Sequence, residues 1–253
     1  METKDVLAIS ISSLAFLLSL AATMISVIRS KYEKQRILER ELTDTLGRIV
    51  STSLENAKLF RESAEADPSY YQHVSSILNQ QNAFLLHQAT FLTDQVPNLV
   101  SAIEYNTIAT AAANAGDLIS AEKYHKKAID VSLNAYYKSL AIRSYAWFLF
   151  TQRRFEEGRD SFRKSISMLT DGDNAVRYTN SYTYQIWAWN ELNNAGSHKR
   201  AEELFESASN EFNGIDNDMV RREALKGLTA AKGSPSSPQP QHQPPPPGDL
   251  AQN

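Results

Sequence analysis

Seven of the nine prolines fall between Pro235 and Pro247, which leaves only Pro68 and Pro97 to interrupt the preceding body of the chain. Proline removes a backbone donor and clashes with the preceding turn, so a body almost free of it can form long helices. Apolar residues recur there at helical spacing. An all-α chain is therefore the expectation. The 253 residues include 26 basic and 29 acidic side chains, a formal net charge of −3 that gives no general pull toward nucleic acid. The absence of cysteine excludes disulfide scaffolds, thiolate zinc sites and thiol catalysis.

Residues Val6 to Ile28 form an uncharged run of 23 residues rich in Leu, Ile, Val, Phe, Met and Ala. As a helix it would reach roughly 34 Å at about 1.5 Å per residue, enough for a bilayer core of about 30 Å. A cleaved signal peptide is the competing reading, but Glu2, Lys4 and Asp5 give no positive leader, and the run continues past Ser19-Leu20-Ala21. An uncleaved transmembrane helix is expected. Arg29, Lys31, Lys34 and Arg36 follow it, so the positive-inside rule predicts a single-pass membrane protein with its C-terminal domain in the cytoplasm. Ala8, Ser12, Ala15, Ser19, Ala22 and Ser26 line one seam, a pattern suited to transmembrane self-association and hence to a homodimer through this helix.

From Lys31 to about Ala66, Leu38, Leu42, Leu46, Ile49 and Val50 predict a juxtamembrane helix. Thr45 and Thr52 fall at would-be coiled-coil seam positions, so a stalk packed on the following domain competes with a coiled coil. Asp67-Pro68 suits an N-cap followed by a first helical residue. The next helix runs from 69 to 96 and Pro97 ends it. The expected division is a membrane anchor at 1–30, a helical stalk at 31–67, a helical domain at 68–232 and a disordered proline-rich tail at 233–253.

Paired helices follow. Between Ile103 and Ile129, Gly116-Asp117 separates Tyr105, Ile108, Ala109 and Ala112 from Leu118, Ala121, Tyr124 and Ala128. Gly158, Phe162 and Ser165 repeat a small–aromatic–small order, and Gly196, Ala201, Phe205 and Ala208 repeat it again. This pattern over about Ser101 to Asn210 resembles the tetratricopeptide repeat (TPR), in which small residues permit close helix crossings. The anchors Ala121, Gly158 and Ala201 are 37 and 43 residues apart against a usual period of about 34, so the units are degenerate or carry longer turns. The resemblance implies antiparallel helix pairs stacked as a short α-solenoid, closed by an amphipathic helix bearing Met219, Val220, Ala224, Leu225 and Leu228.

No catalytic or cofactor constellation stands out, so no enzyme activity, metal or cofactor is expected. His73, His87, His125, His198 and His242 show no metal-ligand spacing, and Asp171-Gly172-Asp173-Asn174 reads as a turn with Asp173 as an N-cap. Arg153, Arg154, Arg159, Arg163 and Lys164 form a dense basic stretch that by default is a solvated face, and no nucleic acid is expected as a partner.

The resemblance also implies that the first helix of each pair lines a groove. Carried over residue by residue, that face comprises Asn106, Thr110, Arg143, Trp147, Phe150, Ile186 and Asn190. The expected function is a membrane-anchored scaffold or adaptor that binds a protein or peptide through this surface. The alternative is a structural or assembly subunit whose repeat face is packed permanently, for which a broad apolar face including Tyr182, Trp187 or Trp189 would speak.

Overall fold

The computed structural model describes residues 3–63, 67–170 and 172–233. These form nine helices: α1 (Thr3–Ser63), α2 (Pro68–Gln95), α3 (Ala102–Asn114), α4 (Leu118–Asp130), α5 (Ala135–Thr151), α6 (Phe155–Ser167), α7 (Asn174–Asn193), α8 (His198–Asn213) and α9 (Asp218–Gly233). Adjacent helices pack in pairs, an arrangement compatible with a helical-repeat fold. The chain divides into two compact units, Met1–Val100 and Ser101–Asn253.

In the first unit α1 and α2 form an antiparallel hairpin. Glu41 pairs with Gln88, Ser53 with Asn82 and Asn56 with Asn79, so numbers rise on one helix as they fall on the other. Leu42, Leu46 and Ile49 of α1 are buried, as are Leu78, Leu85, Leu86, Ala89 and Leu92 of α2. Thr45 and Thr52 lie within this buried seam, and their hydroxyls donate to the carbonyls of Glu41 and Arg48, so the seam tolerates them. Asp67 caps α2 by accepting from the Tyr70 amide. α2 thus packs with α1, and the helical pairs that follow begin at Ser101, not at residue 68.

Among the described residues no helix is long and apolar enough to cross a membrane. This corrects the expected single-pass anchor and the cytoplasmic placement that depended on it. Of the expected membrane seam, the side chains of Ala8, Ser12 and Ala15 lie outside the described residues, while Ser19, Ala22 and Ser26 are exposed. The proline-rich tail from residue 234 also lies outside them.

The second unit repeats one local plan three times. The hairpins α3–α4, α5–α6 and α7–α8 each turn through one left-handed residue: Gly116 at φ 81°, Arg153 at φ 59° and Gly196 at φ 67°. Five positions after each stands a buried small residue, Ala121, Gly158 or Ala201. Four further on come His125, Phe162 and Phe205, and three further Ala128, Ser165 and Ala208, all buried. The facing small residues of the first helices are Ala109, Ala146 and Ala188, each fully buried. Glycine is required at 158, since a Cβ there would lie 2.5 Å from a Phe150 ring carbon and 3.2 Å from the Ala146 carbonyl oxygen. The uneven period has three sources: from the second hairpin to the third the first helix lengthens from 17 to 20 residues, the loop before it from four to six and the turn after it from three to four. Caps fix the starts, with a Ser101–Glu104 capping box on α3 and Asp117, Asn134 and Asp173 capping α4, α5 and α7. α9 closes the array, burying Leu228 and resting Val220, Ala224 and Leu225 on the core around Phe205 and Phe212.

His125 occupies a place where the other two hairpins hold phenylalanine. Its ring lies 5.2 Å from Phe148 and 5.9 Å from Tyr145 between centroids, and its Nδ1 has no hydrogen-bond partner. Burial pushes its pKa down to about 4, against an upward pull from Glu122. A histidine held neutral contributes stability that is complete above its unfolded pKa of about 6.5 and is lost as pH falls toward the folded value. We therefore expect unfolding free energy to drop by about 2 kcal/mol between pH 7 and pH 5. His125→Phe should flatten that dependence in denaturant titrations at the two pH values. Gly158→Ala should cost about 1–3 kcal/mol by overpacking, and Phe150→Leu in the same chain should recover part of the loss in thermal melts.

Candidate interaction face on the first helices

In the second unit α3 packs on α5 and α5 on α7, whereas the second helices α4, α6 and α8 make no comparable contacts with one another. The first helices therefore line the inner side of the array. The small residues Ala109, Ala146 and Ala188 give a common register, and three positions before each stand Asn106, Arg143 and Gln185. One position after each stand Thr110, Trp147 and Trp189.

The polar groups on this side are joined from helix to helix. Asn106 Nδ2 donates to Ser144 Oγ at 3.2 Å, and Arg143 Nη1 donates to Thr183 Oγ1 at 3.4 Å. The Arg143 guanidinium lies over the Tyr182 ring, 5.1 Å from its centroid. Burial lowers its pKa to about 10, with Tyr182 and Tyr136 acting the other way, so it stays charged at neutral pH. Thr110 donates to the Asn106 carbonyl. Two buried atoms here lack partners, Asn106 Oδ1 and Tyr182 Oη. Asn106, Thr110, Arg143 and Trp147 share the α3–α5 side, and Trp147 stands half-buried among them.

The other three residues expected on this face are elsewhere. Phe150 is fully buried among Phe155 and Phe162, because Gly158 leaves a space that its ring fills. Ile186 is 6% exposed within the core, and Asn190 is 3% exposed, donating to the Ile186 carbonyl and accepting from Asn194 Nδ2. The shift on α7 comes from the turn. Three residues separate α3 from α4 and α5 from α6, but four separate α7 from α8. A one-residue slip rotates the assigned face by about 100° around α7. Gln185 and Trp189 are the true counterparts of Arg143 and Trp147, though both are buried and Trp189 Nε1 has no partner. Ser144 and Thr183 went unnoticed because their partners are 38 and 40 residues away in sequence.

Two ionic clamps hold successive hairpins together. Glu122 on α4 accepts from Tyr145 on α5 at 2.8 Å and from Arg154 at the start of α6 at 2.8 Å, and it pairs with Lys126. Lys126, then Arg154 and Tyr145, lower its pKa to about 2 against the opposing effect of burial. On the next junction Arg159 of α6 makes a bidentate pair with Glu191 of α7 at 2.8 and 2.7 Å, and Trp187 Nε1 donates to the same carboxylate at 3.0 Å. Arg200 of α8 approaches at 3.7 Å. Burial pushes the Glu191 carboxyl up, but Arg159 and Trp187 outweigh it and hold it below the usual range. The basic stretch is thus largely consumed by ion pairs, with Arg154 on Glu122 and Glu157, Arg159 on Glu156 and Glu191, and Arg163 on Asp160.

The face offers the partly exposed residues Asn106, Thr110 and Trp147, with amide, hydroxyl and indole groups that suit contact with an extended main chain, while Arg143 is buried behind them. Among the described residues no group of His, Asp or Glu is placed to hold a metal ion. Glu191→Ala should cost about 3–5 kcal/mol because Arg159, of low exposure, loses its bidentate partner and keeps only the exposed Glu156, while the buried Trp187 Nε1–H loses its acceptor. Glu191→Gln, which keeps the Trp187 contact, should cost less in the same denaturant titration. No family model, curated protein or solved structure matches the chain.

Proposed function

We propose that the second unit is a TPR-like module that acts as a scaffold or adaptor, holding a protein or peptide partner against the inner side of α3 and α5. The observation that carries this reading is Trp147. It is the one of the three tryptophans that keeps partial exposure, and it stands beside Asn106, Thr110 and Arg143. An indole flanked by amide and hydroxyl groups supplies the apolar anchor and the main-chain hydrogen bonds that extended segments require.

Permanent packing of a broad apolar repeat face is less well supported. Trp187 and Trp189, which would mark such a face, are 7% and 3% exposed and lie within the unit's own core.

The test is a peptide array followed by fluorescence titration of the peptides retained. Trp147→Ala and Asn106→Ala should each weaken capture about tenfold, the effect of losing roughly 1.4 kcal/mol. Melting temperature should change little. Unaltered binding in both variants would refute the assignment, and a large fall in melting temperature for Trp147→Ala would make the residue structural.

A further inference from the structure

On α2, Tyr70, Ile77, Phe84 and Phe91 recur at strict seven-residue steps and are 52%, 52%, 68% and 60% exposed. One position on, Leu78, Leu85 and Leu92 follow the same period and are 6%, 0% and 2% exposed. The second set is the seam that packs on α1. The first is an equivalent seam, rotated by about 100°, that is left exposed among the described residues. A seven-residue period keeps a stripe facing one neighbour along a shallow left-handed crossing, which a straight helix of 3.6 residues per turn would not need. The helix is also without Asp, Glu, Lys or Arg from Pro68 through Thr93. Solvated helix faces carry charges, and the cores of interfaces are depleted of them.

We propose that this stripe is the dimer interface of the chain, receiving α2 of a second copy in antiparallel orientation so that two α1–α2 hairpins form a four-helix bundle. Two observations select a second copy. A charge-free stripe meets its own image without like-charge repulsion, and a two-fold contact requires a surface that complements itself. Antiparallel pairing sets Tyr70 against Phe91 and Ile77 against Phe84 of the other copy, so large apolar side chains meet at every step of the stripe. Four large side chains more than half exposed offer roughly 400 Å² per copy, or about 800 Å² in total. The flanking Gln80, Ala83 and His87 bring this near the 1,200 Å² or so at which stable interfaces begin.

The test uses the full-length chain in sedimentation velocity over a range of concentrations. The wild type should dimerise below about 100 µM. Ile77→Glu with Phe84→Glu brings acids together and should weaken the dimer at least a hundredfold. Ile77→Lys with Phe84→Glu sets each introduced base against an introduced acid and should restore most of the affinity. All these positions are exposed, so far-UV circular dichroism should not change. Because the chain has no cysteine, Gln80→Cys supplies a sole thiol next to the two-fold axis; it should form a disulfide-linked dimer on oxidation, and Ser69→Cys should not. A monomeric wild type, a dimer indifferent to the acidic pair, or efficient cross-linking through Ser69→Cys would each overturn the proposal. So would a monomer in which a Phe84→Cys thiol is shielded from labelling, since another segment would then cover the stripe.

Discussion

The second unit depends on how closely two helices can approach. At the α5–α6 crossing the separation is so small that the backbone of Ala146 would touch a Cβ at residue 158. Ala109 with Ala121 and Ala188 with Ala201 hold the corresponding places, all at or near zero exposure. Once the crossings are fixed by small residues, the larger ones take the positions left over. Phe162 and Phe205 fill the space below, and Phe150 enters the gap above Gly158. Shape sets the crossing, and apolar burial then stabilises it.

Polar contacts act between hairpins more than within them. The Glu122 and Glu191 clusters each tie the end of one hairpin to the start of the next, and the Asn106–Ser144 and Arg143–Thr183 bonds do the same along the inner side. Buried ion pairs of this kind add little net stability over well-packed apolar groups, but they penalise any other stacking register severely. The same bonds consume most of the charge on the inner face. What keeps partial exposure on that side is Trp147, with Asn106 and Thr110 on the neighbouring helix.

The first unit follows a different rule. Its hairpin is a seven-residue packing of two long helices, in which Thr45 and Thr52 are accepted because their hydroxyls bond back to their own helix. α2 carries this period twice, and among the described residues only one of its two seams is covered. Recruitment through α3 and α5 and self-association through α2 would occupy different units, and a dimeric scaffold presents two copies of its binding face. Such pairing raises avidity for any partner that is itself multivalent.

The sequence alone determined what local chemistry controls: helices throughout, the breaks at Asp67-Pro68, Gly116 and Gly196, and the small–aromatic–small order within each hairpin. The repeat resemblance assigned Asn106, Thr110, Arg143 and Trp147 to one side, and these four stand at the same offsets from Ala109 and Ala146. Residues at Phe150, Ile186 and Asn190 were misplaced for reasons no local pattern carries. Phe150 moved inward because of a glycine on another helix, and the α7 positions rotated because one turn is a residue longer. The apolar run at the N-terminus suggested a membrane span, yet no helix among the described residues meets that requirement. Only the tertiary structure separated Leu78, Leu85 and Leu92 from Tyr70, Ile77, Phe84 and Phe91. The two sets have the same spacing and similar hydrophobicity, and what distinguishes them is which one α1 covers.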